Sequence, residues 1–237
     1  MAITRRTAAR YADAAHLASL GLNEAALRGL TGFFSSVAQT GAGAGTVTPS
    51  GSPAGIYPVR VRVSTGGAPG AAAVEISLDD GDTYASPVAV PSGGAITVSE
   101  TLSSIAPGLV LTFAGVFALG DVYAFDAASR VEMALDAASD WLDGYLARQF
   151  TLPLVSWGAD VSSAAAAHAA LAILTARGYD PARGADVAIR EGRDDAARWA
   201  ELVARGAVIP TVTDSAAEEE GIAADVHVSS RGRRGWR

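Results

Sequence analysis

Ala138-Ser-Asp-Trp-Leu-Asp-Gly-Tyr-Leu-Ala-Arg-Gln-Phe-Thr-Leu-Pro-Leu154 joins an amphipathic helical pattern to an abrupt proline stop. Upstream and through it, Val131, Leu135, Ala138, Leu142 and Tyr145 recur at spacings of four, three, four and three residues, which lines one apolar stripe along a helix. Asp136, Asp140 and Asp143 fall on the other face, and an i, i+4 carboxylate pair such as Asp136 and Asp140 reads as a solvated surface. Pro153 cannot continue a helix, so the pattern stops before it. Such a stripe is buried only against further elements, so the segment points to a packed helical unit and away from catalysis.

The composition sets the limits around that unit. A chain of 237 residues with 49% hydrophobic content can bury one good core or two small ones. The absence of cysteine excludes disulfide scaffolds, thiolate-bound zinc and thiol catalysis. A net charge of −7 argues against a surface that wraps nucleic acid. All 18 basic residues are arginine, a bias that carries no mechanism by itself. The start, Met1 to Arg10, is rich in arginine, but no apolar run follows it; Ile105 to Leu119 is short and broken by Pro107, Gly108 and Gly115, so it reads as two strands and a turn. The expectation is a soluble chain with no targeting segment and no membrane partner.

Four zones differ in periodicity. Residues 1–40 read as two helices, one from Thr4 to Gly21 and one capped by Asn23 that runs to about residue 38 and ends on Phe33 and Phe34. Residues 41–125 read as a linker, Gly41-Ala-Gly-Ala-Gly45 to Gly55, followed by an all-β domain. In it Val59, Val61 and Val63 alternate with polar residues, and further short strands are expected over 72–78, 84–90, 95–102, 109–113 and 122–125. Strands at that spacing predict an antiparallel sandwich or barrel. Residues 126–208 return to helical periodicity, with Asp126 as N-cap of the first helix, Ser162 or Ser163 capping a second that ends at Gly178, and a third from about Asp186 to Arg205. Residues 209–237 form an extended C-terminal arm in which Asp214, Glu218, Glu219, Glu220 and Asp225 precede Arg231, Arg233, Arg234 and Arg237. The fold class is therefore α+β, a small helical bundle with an inserted antiparallel β domain.

Few constellations carry chemistry. Ser77-Leu-Asp-Asp-Gly-Asp-Thr-Tyr84 fits the Ser-x-Asp-x-Gly-x-Thr-aromatic pattern of the Asp-box, a hairpin turn in which Ser77, Asp79, Gly81 and Thr83 satisfy turn amides. A calcium loop from Asp79, Asp80 and Asp82 lacks the bidentate acid of a longer loop. The glycine run opens no helix and is followed by no Lys-Ser/Thr, so it is not a phosphate loop. His16, His168 and His227 lie in separate zones without metal-ligand spacing, and no nucleophile elbow occurs. No enzyme activity, metal or cofactor is expected. Arg231, Arg233, Arg234, Trp236 and Arg237 are the candidate binding residues, because arginine and tryptophan are favoured as interface anchors.

Tyr145, Leu146, Arg148, Phe150, Leu152, Pro153 and Leu154 follow one another in the order found at the end of a helix in the tailed-phage head–tail adaptor (connector) family, in its Mu-like prophage neck group. Asp194, Asp195, Ala196, Arg198, Trp199, Val203, Ala204 and Gly206 resemble the family's last helix, and Tyr11, Leu17, Leu20, Gly21, Glu24 and Leu27 match its start loosely. The resemblance covers about half of the chain and leaves the β segment as an insertion. It implies a structural virion protein, made in the host cytoplasm and placed in the neck between capsid and tail. The implied partners are the portal protein, gripped by the terminal arm, neighbouring adaptor subunits in a homo-dodecameric ring, and a stopper or tail-completion protein. The genome would pass through the lumen without sequence-specific binding. Leu135, Leu142 and Tyr145 of the stripe, with Leu146, Arg148 and Pro153 of the resembling motif, are the expected helical core positions. The rival reading is a β-sandwich carbohydrate or receptor-binding module on a helical stalk, which requires an exposed aromatic platform.

Overall fold

The computed structural model describes residues 6–22, 30–98, 108–180 and 182–215. It is an α+β protein with two separate buried clusters, one between two antiparallel sheets and one among helices.

The strands are β1 (Phe33–Phe34), β2 (Ala38–Thr40), β3 (Thr46–Gly51), β4 (Ile56–Thr65), β5 (Ala73–Ser77), β6 (Val88–Ala89), β7 (Ala95–Val98), β8 (Leu109–Ala114) and β9 (Val122–Ala128). The larger sheet has the order β1-β9-β4-β5-β6, with β2 also paired to β9, and the smaller has the order β3-β8-β7. Every pairing is antiparallel. Period-two patterning decides which faces meet: Val59, Val61 and Val63 of β4 are buried while Arg60 and Arg62 point away, and Leu109, Leu111 and Phe113 of β8 alternate in the same way. Together with Tyr123 and Phe125 they form one core, to which each fully buried aliphatic side chain contributes about 1.5–3 kcal/mol. Two open sheets face to face make a sandwich, not a barrel.

The helices are α1 (Ala14–Ser19), α2 (Arg130–Leu146), α3 (Ala159–Arg177) and α4 (Gly184–Ala204). α3 touches the other three. Its buried face is largely alanine, Ala164, Ala165, Ala166, Ala169 and Ala170 with Val161, Ile173 and Leu174, so neighbouring helices approach it closely. By length and composition α3 is apolar enough to cross a membrane; here it is the central helix of the second cluster. A hairpin of β10 (Leu154–Trp157) and β11 (Val212–Asp214) ties the start of α3 to the chain after α4.

Several boundaries differ from the sequence expectation. Residues 33–34 and 38–40 are strands of the sandwich and not the end of a helix, and the helical piece near the N-terminus spans only Ala14–Ser19, capped by Asp13. The helix expected from Asn23 falls on residues 23–29, outside the described residues. Asp126 lies inside β9; Ser129 caps α2 instead, accepting the Glu132 amide at 3.4 Å. Gly158, not Ser162 or Ser163, precedes α3, and Ser162 is buried within it. The supposed linker is part of the sandwich. Thr46–Gly51 pairs along β8, and the glycines before it pack on the turn between β8 and β9, where buried Asp121 accepts the amides of Gly43 at 3.1 Å and Ala118 at 2.8 Å. A Cβ on Gly41 or Gly43 would lie 2.1 or 2.0 Å from an Asp121 carboxylate oxygen, and one on Gly45 would lie 2.4 Å from the Phe117 ring. Glycine is there for close approach, not for flexibility.

Candidate functional site

The acidic face of α2 is covered except at Asp140. The irregular segment from Arg6 to Asp13 lies across it as a strap. Arg6 Nη1 donates to Asp140 at 2.5 Å and to Asp143 at 2.6 Å, and Arg10 pairs with Glu132 and Asp136. The Tyr11 hydroxyl donates to Asp143, its amide donates to Ser139 Oγ at 3.2 Å, and its carbonyl accepts Trp157 Nε1 at 3.1 Å. Its ring meets Trp157 edge-on with centroids 5.0 Å apart, and the Arg6 guanidinium lies over the ring 5.2 Å from its centroid.

The geometry follows from two repeat lengths. Glu132, Asp136, Asp140 and Asp143 share one helix face, and the eight steps from Glu132 to Asp140 rise about 12 Å. Four residues of non-helical chain reach up to about 14 Å, so Arg6 and Arg10 each find a pair of carboxylates with the strap running antiparallel to α2. Without cations these acids would repel one another at i, i+4.

Burial makes the contact more than a surface ion pair. The Arg6 side chain is only 4% exposed; burial alone would lower its pKa, but the hydrogen bonds and charges of Asp143 and Asp140 outweigh it and hold the guanidinium above its ordinary value. Burial first, then the bond to Asp143, pushes the Tyr11 phenol far up. The Asp136 side chain is 8% exposed; its Oδ1 accepts from Arg10, and its Oδ2 has no hydrogen-bond partner among the described residues. An open cleft lined by Arg10, Asp13, His16, Glu132 and Trp157 lies beside the strap.

The residues singled out from the sequence fall in three places. Leu135, Leu142 and Leu146 are buried in the helical cluster, Tyr145 packs against it half-buried, and Arg148 and Pro153 are exposed beyond the helix end. Ser77, Asp79, Gly81 and Thr83 meet in one turn of the sandwich. There Ser77 Oγ accepts the Gly81 amide at 2.8 Å, Asp79 accepts the Thr83 amide at 2.9 Å, and the Thr83 hydroxyl also donates to Asp79. Hydrogen bonds from Ser77 and then Thr83 lower the Asp79 pKa to about 2. Asp80, at φ +64°, pairs with Arg60 at 2.8 Å, so these acids serve the turn. Among the described residues no group of three or more His, Cys, Asp or Glu residues is arranged to hold a metal ion. Arg231, Arg233, Arg234, Trp236 and Arg237 lie outside the described residues. The strap escaped the sequence reading, although Arg6 and Arg10 stand four apart, as do Glu132, Asp136 and Asp140.

No curated protein matches the chain. Among solved structures, the crystal structure of Xanthomonas campestris FlgL (space group C2) is similar at 16% identity with a TM-score of 0.23, over 73% of this chain and 52% of that one. This chain thus spans about half the length of that protein, and a likeness so low carries no argument. Residues 116–228 match the family model described as Bacteriophage Mu, Gp36, a stretch that opens at the turn before β9, takes in α2 to α4 and runs past β11. That similarity supports a structural component of a Mu-like phage virion.

Proposed function

We propose that the chain is a head–tail adaptor in the neck of a tailed phage. The observation that carries this reading is the similarity of residues 116–228 to the Mu Gp36 family, which embraces the α2 motif from Tyr145 to Leu154 and the helical cluster around it. Copies of the helical unit stand side by side in a ring, a dodecamer by the family resemblance, beneath the portal protein and above a stopper or tail-completion protein. The role is structural and involves no catalysis, metal or membrane. A chain of net charge −7 suits a conduit that repels phosphate and does not retain the passing genome. The C-terminal residues Arg231, Arg233, Arg234, Trp236 and Arg237 supply anchors to the portal or to a neighbouring copy.

The carbohydrate-binding rival finds less support. Phe113, Phe117, Tyr123 and Phe125 are buried in the sandwich, and Tyr84 has the Arg62 guanidinium 4.2 Å over its ring. Native mass spectrometry of the full chain, alone and mixed with the portal protein, tests the proposal. A closed multi-copy ring, or a discrete complex with the portal, is expected. A monomer under both conditions contradicts it, and glycan binding by that monomer selects the rival.

A further inference from the structure

We propose that the acidic face of α2 is a docking groove for an arginine-rich peptide segment, filled by the strap in the free subunit and by residues 229–237 of a second copy in the assembled state. The sense of exchange between copies rests on the ring reading above; the recognition chemistry does not.

Three observations carry it. The face is built for guanidinium: the carboxylates of Glu132, Asp136, Asp140 and Asp143 all take arginine, and no other cation among the described residues pairs with them. Two arginines do not neutralise four acids, and the mostly buried Asp136 carboxylate keeps one oxygen, Oδ2, without a hydrogen-bond partner. That leaves a buried anionic acceptor with capacity for another donor. Finally, the chain contains the complementary ligand. Arg231, Arg233, Arg234 and Arg237 place four guanidinium groups within seven residues, and no Asp or Glu follows Asp225. The charge of that segment balances the face, as the strap's does not.

Exchange is feasible because of how the strap is held. The Arg6 side chain, Tyr11 and Ala12 are buried, but the outer ion pairs are wetter, the side chains of Asp140 and Arg10 being 64% and 28% exposed. The exposed pairs contribute little each. A segment with twice the cations, presented by a neighbour in a ring at high effective concentration, competes with them. Heterologous pairing of one face with the next subunit's arm is the kind of contact that forms a ring when the rotation between copies closes.

The test uses the full-length chain with Arg231, Arg233, Arg234 and Arg237 changed to Gln, so that its own arm does not compete, and a fluorescent peptide with the sequence of residues 226–237. Adding R6Q and R10Q to empty the face should tighten peptide binding at least tenfold by anisotropy. D140N with D143N in that background should abolish the gain, whereas D194N with D195N, which removes two carboxylates from α4, should leave it intact. Circular dichroism establishes that each variant is folded. Peptide binding that ignores Asp140 and Asp143, or that falls equally with Asp194 and Asp195, overturns the proposal, as does no binding to the strap-neutralised chain. The assay contains no portal, so its failure is separable from failure of the adaptor reading.

Discussion

His168 shows how a single residue senses the packing of the helical unit. Its ring stacks on Trp141 at 4.1 Å and 15°, and its Nδ1 is buried without a hydrogen-bond partner. Burial, and then the positive charge of Arg193, lowers its pKa below the ordinary histidine value. The unfolded chain takes up this proton near about pH 6.5, while the folded chain takes it up only at lower pH. The group therefore withdraws stability as pH falls through that window, and the contribution is intact above it. Urea denaturation between pH 7.5 and 5 should show declining stability in the wild type, and His168→Phe, which keeps a flat ring against Trp141, should decline less. Equal slopes would show that His168 stays neutral or titrates alike in both states. Sequence spacing separates His168 from the other histidines but does not tell a surface residue from a packed one, because its Trp141 partner is 27 positions away.

At the scale of elements, local patterns were readable and long-range partners were not. The α2 stripe was legible because a 3.6-residue period is a property of consecutive residues: Leu135, Ala138 and Leu142 are buried on it, while Val131 and Tyr145 at its ends are half-buried. The other face of α2 was misread as solvated because its partner Arg10 stands 126 residues from Asp136. The glycine run was misread because a flexible linker and a close backbone approach have the same composition. Gly43 supplies the check. A Cβ there meets Asp121 Oδ2 at 2.0 Å, whereas one on Gly93 meets nothing within 4 Å. Gly43→Ala should cost about 1–3 kcal/mol through overpacking of the Asp121 turn, and Gly93→Ala should be close to neutral. Comparable melting temperatures for the two variants would contradict the account of the Asp121 turn.

At the scale of the whole molecule, the sandwich is threaded between α1 and α2 of the helical cluster. The chain enters it near Thr31 and leaves it near Arg130, whose Nε donates to the Thr31 carbonyl at 2.9 Å, so the two ends meet. Composition alone placed the start of the insertion too late, since β1 and β2 pair with β9 and β3 pairs with β8. Replacing residues 33–128 by a short Gly/Ser loop should therefore leave the circular dichroism of α1 to α4 in place. Replacing only residues 56–125 strips β1, β2 and β3 of their partners and should give an aggregating chain. If the shorter excision behaves as well as the longer one, the early strands do not belong to the sandwich. Electron cryomicroscopy of particles from the phage that carries this sequence tests the central claim most directly. The account predicts a ring of α+β subunits at the neck, with the helical clusters side by side against the portal; particles in which this chain lies in the capsid shell or the tail fibres, or is absent, would contradict it.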